Sequence, residues 1–164
     1  VVTDYTYALD TLDNYDYERL TINKTTKDEP FHATYENAME AIDGLHEKFG
    51  GSVLFGNEKD NSFKSSIGQI YQTFGGRDLL ASPQEKAANL IYYIIKDHPF
   101  SDGNKRIGSF IFILFLSKCK LLYKSSGELR MSDNALVALA LFVAQSDPKQ
   151  KDMVVNLITN LLGD

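Results

Sequence analysis

The stretch His98-Pro99-Phe100-Ser101-Asp102-Gly103-Asn104-Lys105-Arg106-Ile107-Gly108 joins two segments of helical character. Before it, residues 87–95 carry apolar side chains at helical spacing; after it, residues 107–116 are almost wholly apolar. A loop that leaves one helix and enters another presents the unbonded N–H groups of the second helix's first turn, where the helix dipole favours an anion. Lys105 and Arg106 add positive charge to that turn, which by itself disfavours the helix by roughly a few tenths of a kcal/mol per residue. A bound polyanion reverses the sign. The stretch reads as a phosphate cradle with an acid–base residue, His98, at its lip.

Upstream, Ser82-Pro83-Gln84-Glu85 is a helix start. Ser82 can cap, Pro83 suits the first helical position, and Glu85 can reach back as a capping box. The helix that follows should bury Ala87, Leu90, Ile91, Ile94 and Ile95. The next, from Asn104 to about Lys118, is apolar on every side, which predicts the fully enclosed, central helix. Thr34 is a candidate N-cap for a helix with the apolar face Ala38, Ile42, Leu45 and Phe49, stopped by Gly50-Gly51. Phe63, Ile67, Ile70, Tyr71 and Phe74 also fall at helical spacing, and the tail over 73–80 reads equally as an extended flap. Leu121-Leu122-Tyr123 and Leu129-Arg130-Met131, around Ser125-Ser126-Gly127, suggest a small hairpin. Helices over about 133–145 and 148–162 close the chain, the last opened by Asp147-Pro148. The expected fold is all-α: a single domain over 34–164, a helical bundle around a buried central helix with a small flap or hairpin. Residues 1–33 lack clean periodicity and are expected to form an irregular N-terminal segment.

With 164 residues, 43% of them hydrophobic, the chain can bury one real core. Its net charge is −5, and its Lys and Arg residues are scattered. No basic stripe is visible, so direct nucleic-acid binding is not expected. The single cysteine, Cys119, excludes an internal disulfide framework and reads as a buried small hydrophobe. The longest apolar run falls far short of the ~20 residues of a spanning helix. No charged-then-apolar leader opens the chain. A cytoplasmic location without membrane contact is the expectation. The initial Val suggests a processed form or an expressed fragment, with a missing N-terminal part.

Within the loop, a neutral His98 could take a proton from an attacking hydroxyl. Asp102 either caps the following helix or holds Mg²⁺ against phosphate oxygens, which would otherwise repel its carboxylate. Phe100 is an anchor that buries the loop. Gly103 permits positive φ or a close backbone approach. Asn104 can bond the loop backbone or a phosphate, and Lys105 and Arg106 read as phosphate ligands. His46 is expected on the polar face of its helix; His32 has no partner spacing. No Cys/His metal pattern, G-x-x-x-x-G-K-[ST] loop or G-x-S-x-G elbow is present.

The segment HPFSDGNKR resembles the signature loop of Fic/Doc proteins, H-P-F-x-[D/E]-G-N-[G/K]-R, with every slot filled. Its flanks are similar as well: SPQEKAANLIYYIIKD before, an apolar helix after, and SSIGQIYQTFGGRDLLAS upstream, where the family carries its target-docking flap. The resemblance covers residues 34–118 closely and the later helices more loosely. The whole chain is most similar to the Fic domain attached to RhuM-type virulence proteins. The resemblance implies an all-α fold and transfer of part of a nucleotide triphosphate to a protein side-chain hydroxyl, with ATP and Mg²⁺ as cofactors. It implies His98 as general base, Phe100 as loop anchor, Asp102 as Mg²⁺ ligand, and Gly103, Asn104, Lys105 and Arg106 as anion hole. Arg106 thereby joins His98 and Asp102 in the catalytic set. Gln69, Tyr71, Gln72 and Thr73 would belong to the docking flap.

Two slots depart from the pattern. AMP-transferring members have Gly at the Lys105 slot and a second Arg at the Ser109 slot. Death-on-curing toxins, which are protein kinases, have Lys at the first slot but Asn at the Phe110 slot. Lys105 and the absent second Arg favour phosphoryl transfer, with AMP transfer as the alternative. Ser109 and Phe110 keep open a third possibility, a nucleotide- or partner-binding module without turnover. The inhibitory pattern [S/T]-x-x-x-E-[G/N] is matched only in part: Thr25 to Glu29 has the spacing but runs into Pro30, and Glu36-Asn37 has His32 at its first slot. Inhibition is expected from another chain or a missing segment.

Overall fold

The computed structural model describes residues 6–18, 20–22, 25–26 and 29–163, without the side chains of Thr6, Tyr7 and Phe49. Among the described residues, seven α-helices follow in order: α1 (Thr6–Asp16), α2 (Tyr35–Phe49), α3 (Ser62–Ile70), α4 (Pro83–Asp97), α5 (Asn104–Lys118), α6 (Asp133–Gln145) and α7 (Lys151–Leu161). Between α3 and α4 lies an antiparallel hairpin of β1 (Thr73–Phe74) and β2 (Arg77–Asp78), and a 3₁₀ turn over Pro148–Gln150 leads into α7. The all-α fold is as expected. The 121–131 segment closes through one antiparallel bridge, Tyr123 to Leu129.

The helix starts follow their caps. Thr34 accepts from the N–H of Asn37, Ser82 from Glu85, Ser132 from Ala135, and Asp147 from Lys149. At Ser82 the box closes differently from the expectation: the Ser82 hydroxyl, not its backbone N–H, donates to Glu85 Oε1 at 2.9 Å.

The buried central helix is α4, not α5. α4 packs against α3, α5, α6 and α7, and Ala87, Leu90, Ile91, Ile94 and Ile95 are fully enclosed. α5 keeps Ser109, Phe110, Ile113 and Leu114 only half-buried. Uniform apolarity misled, because α4 hides its polar side chains by pairing them, as buried polar groups must be. Gln84 Oε1 accepts from Thr26 N–H at 3.2 Å, Asn89 donates to Glu85 O at 2.8 Å, and Lys86 reaches Glu29 at 2.6 Å and Asp78 at 3.2 Å. α4 and α5 approach closely at Gly108, where a Cβ would lie 3.0 Å from Ile95 Cγ1.

Among the described residues before Thr34, the structure shows a helix, α1, and several contacts with the bundle. α1 packs on α7, and its Tyr15 lies edge-on to Phe142 of α6 at 6.2 Å. Asn160 donates to Thr21 O at 2.9 Å, and Phe31 packs edge-on to Phe115. The signal was missed because Leu9 and Leu12 of α1 stay exposed, so no apolar stripe marks the helix. Among the described residues, no helix is long and apolar enough to cross a membrane.

Candidate active site

α4 ends at Asp97, and His98 caps it in the left-handed conformation, φ 49° and ψ 58°. A non-glycine residue there costs roughly 1–2 kcal/mol. Pro99, which disfavours α geometry in the residue before it, makes the break unavoidable. His98 is exposed. Burial pushes the Asp97 carboxyl above its ordinary range; Lys151 and His98 oppose that shift and Asp60 adds to it.

Beyond His98 the loop is pinned from within. Phe100 is fully buried, its ring 5.0 Å from that of Phe63. Asn104 clasps the Phe100 backbone from both sides, accepting from its N–H at 3.0 Å and donating to its carbonyl at 2.8 Å. Of the two roles open to Asn104, the structure shows the loop clasp. The N-cap of α5 is Gly103, and among the described residues no side chain caps the helix. The N–H groups of its first turn are therefore left to solvent or a ligand, flanked by the exposed Lys105 and Arg106.

A second segment braces the loop from outside. Lys59 N–H donates to Pro99 O at 2.9 Å, Ser101 N–H to Asn57 O at 2.8 Å, and Gly56 N–H to Asp102 O at 3.3 Å. Tyr35 on α2 donates to Glu58, which bridges to Phe100; that bond holds the Tyr35 phenol above its ordinary pKa. Ser52 Oγ donates to Asp102 Oδ2 at 2.9 Å, and Arg106 Nη2 lies 3.8 Å from the same oxygen. The Phe55 ring lies beneath Gly103, where a Cβ would come within 2.5 Å of two ring atoms. Gly103 is thus required twice, by its φ of 87° and by Phe55. Sequence reading missed Ser52 and Phe55. The only signal was a short apolar run, Val53-Leu54-Phe55, between Gly51 and Gly56.

Beside the turn, an apolar hollow of about 660 Å³ opens between α2, α5 and α6. Lys105, Arg106 and Ser109 edge it, and Phe55, Phe110 and Leu136 help to line it. His46 faces this region rather than a purely polar surface: it is half-buried, 5.4 Å from Phe55.

Segment 52–59 is brought alongside the loop by the bonds and bridges above. Gln69 and Gln72 edge a separate groove of about 400 Å³ along α4 and α7, with Asn89 and Tyr93. Thr73 pairs with Asp78 in the exposed hairpin. Tyr71 is an anchor: its hydroxyl accepts from Ala33 N–H at 2.6 Å, its ring stacks on His32 at 3.8 Å, and burial raises its pKa to about 12. Glu29, the acid of the partial inhibitory pattern, is engaged by Lys86.

Among the described residues, no group of three or more His, Cys, Asp or Glu side chains gathers as a metal cage. Asp102 alone suits Mg²⁺, which commonly takes one or two carboxylates and completes its shell with phosphates and water.

Residues 26–116 match the model of the Fic/DOC family, more than half of the chain, including this loop, all of α4, and α5 but for its last two residues. The match is to the family as a whole. No curated protein and no solved structure matches the chain.

Proposed function

We propose that this chain, which belongs to the Fic/DOC family, transfers the terminal phosphoryl group of ATP to a side-chain hydroxyl of a target protein. Membership points to nucleotide-dependent modification of proteins in general; phosphoryl transfer is the finer reading. The observation that carries it is the uncapped start of α5, with the exposed Lys105 and Arg106 in its first turn. The N–H groups there converge on one point, and the two cations neutralise the phosphate oxygens.

His98, exposed at the lip of the loop, takes the proton of the target hydroxyl as its oxygen attacks the γ-phosphorus. The O–P bond forms, the bond from the γ-phosphorus to the bridging oxygen breaks, and ADP leaves. Arg106 and the α5 N–H groups bind the phosphates; Lys105 supplies a point charge suited to a terminal phosphoryl group. Asp102, oriented by Ser52, would hold Mg²⁺. When bound, the metal neutralises charge that develops on the phosphate oxygens. Phe100 and Asn104 keep the loop in shape. The nucleoside fits the apolar hollow beside Lys105. For target docking, Val53 and Leu54 are the better candidates than Gln69, Tyr71, Gln72 and Thr73: they are 85% and 52% exposed and adjoin Ser52 beside Asp102. The implied partners are a protein with an acceptor hydroxyl and an inhibitor on another chain.

Incubation with Mg²⁺, ATP and a cell lysate, followed by intact-mass analysis of modified proteins, tests this. A phosphate adds about 80 Da and an AMP group about 329 Da. The expected adduct is the smaller, absent with His98→Ala. The larger adduct would replace phosphoryl transfer by AMP transfer, and nucleotide binding with no adduct would leave a binding module.

A further inference from the structure

Among the described residues, Arg106 of the loop has two neighbours of different kinds. Its guanidinium carbon lies 4.8 Å from the centre of the Phe55 ring, and its Nη2 lies 3.8 Å from Asp102 Oδ2. The ring itself cannot move freely. Phe55 is buried, fixed beneath Gly103, flanked by His46 at 5.4 Å, and bridged through its backbone to Asp102. The Arg106 side chain is 62% exposed, so without the ring the loose 3.8 Å pair with the half-exposed Asp102 would be left to hold it.

From this we infer that Phe55 is a positioning residue: its ring is the seat that holds the Arg106 guanidinium at the mouth of α5. Stacking uses the face of the guanidinium and leaves its in-plane N–H donors free for a phosphate. A lysine at 106 would gain little from the same seat, because its charge is a point on a flexible stem. The seat arises from segment 52–59, which lies outside the signature loop. The loop and that segment together therefore form the anion site. The inference rests on the phosphate-binding role given to Arg106 above.

The decisive measurements are the order of the Arg106 Nε–H bond by ¹⁵N relaxation and the affinity for Mg²⁺–ATP. In the unmutated chain, Arg106 Nε should be more ordered than Nε of Arg77, an exposed arginine on the hairpin. Phe55→Leu should drop it to the Arg77 level, in the flexible range below about 0.6; Phe55→Tyr should retain it. Phe55→Leu should also weaken Mg²⁺–ATP binding about two- to fivefold, the size of an exposed cation–π contact, and this loss should vanish in an Arg106→Lys background. An Arg106 Nε as mobile as that of Arg77 in the unmutated chain overturns the inference. So does an affinity loss that persists in the Arg106→Lys background, since that would reflect general loosening of the loop. If the unmutated chain binds no Mg²⁺–ATP, the proposed function fails, while the comparison of Nε order still decides the seat.

Discussion

At the scale of single residues, the site depends on a few positions with no tolerance. Gly103 has φ 87° and a ring atom 2.5 Å from where a Cβ would stand. Gly127 has a similar φ of 92° but open space around it. Gly127→Ala should therefore show only the backbone cost, roughly 1–2 kcal/mol. Gly103→Ala should add roughly 1–3 kcal/mol of overpacking. Urea unfolding of both variants gives the difference directly; equal losses would mean that Phe55 gives way without resistance. Tyr71 gives a pH signature. Its folded pKa of about 12 lies above the ordinary 10.0 because burial disfavours the phenolate. The folded state therefore holds the proton more tightly, and stability should be full below pH 10 and fall as pH rises toward 12. Tyr71→Phe should flatten that part of the profile, at the cost of the Ala33 bond. Residue chemistry was readable at 98–106, where glycine, carboxamide and cations sit in one short run. Phe55 was not readable, because a lone aromatic far off in sequence carries no mark of what it will lie against.

At the scale of elements, α4 shows why helix apolarity was a poor guide to centrality. Its burial rests on pairing as well as on apolar surface, and the Lys86 node ties together Glu29, Asp78 and the Tyr71 ring, 5.5 Å away. Glu29→Gln with Asp78→Asn strands a fully buried cation and should cost about 3–5 kcal/mol. Lys86→Met should cost less, since both carboxylates retain some access to water. The reverse order in urea unfolding would show that the ion pairs, not the buried charge, dominate. Caps were legible because Ser, Thr and Asp before a helix act locally, whereas α1 was not, since it packs without an apolar stripe. The bracing of the loop by segment 52–59 was hidden for a related reason. The hairpin was recognised by its glycines, but only tertiary pairing shows which loop lies beside Asp102. Val53→Asp should accordingly lower transfer to protein and leave Mg²⁺–ATP binding nearly intact. Phe74→Asp, on the hairpin, should affect neither. The opposite pattern would return docking to the hairpin.

At the scale of the molecule, the bundle serves to present one helix start. α4 brings His98 to its C-terminal end, α5 begins six residues later at Asn104, and segment 52–59 braces the turn between them. The bundle and this turn could be anticipated from the sequence, since both follow from local signals repeated along the chain. Which helix is enclosed, and what braces the loop, depend on contacts between distant residues. The central claim is that the start of α5 is where the nucleotide phosphates bind. Amide chemical shifts followed during titration with Mg²⁺–ATP test it most directly. The largest changes should fall on the N–H groups of Asn104, Lys105 and Arg106, and should persist in His98→Ala, which removes the proton acceptor but not the cradle. Largest changes around Gln69, Gln72 and Asn89, with residues 103–106 unmoved, would contradict it.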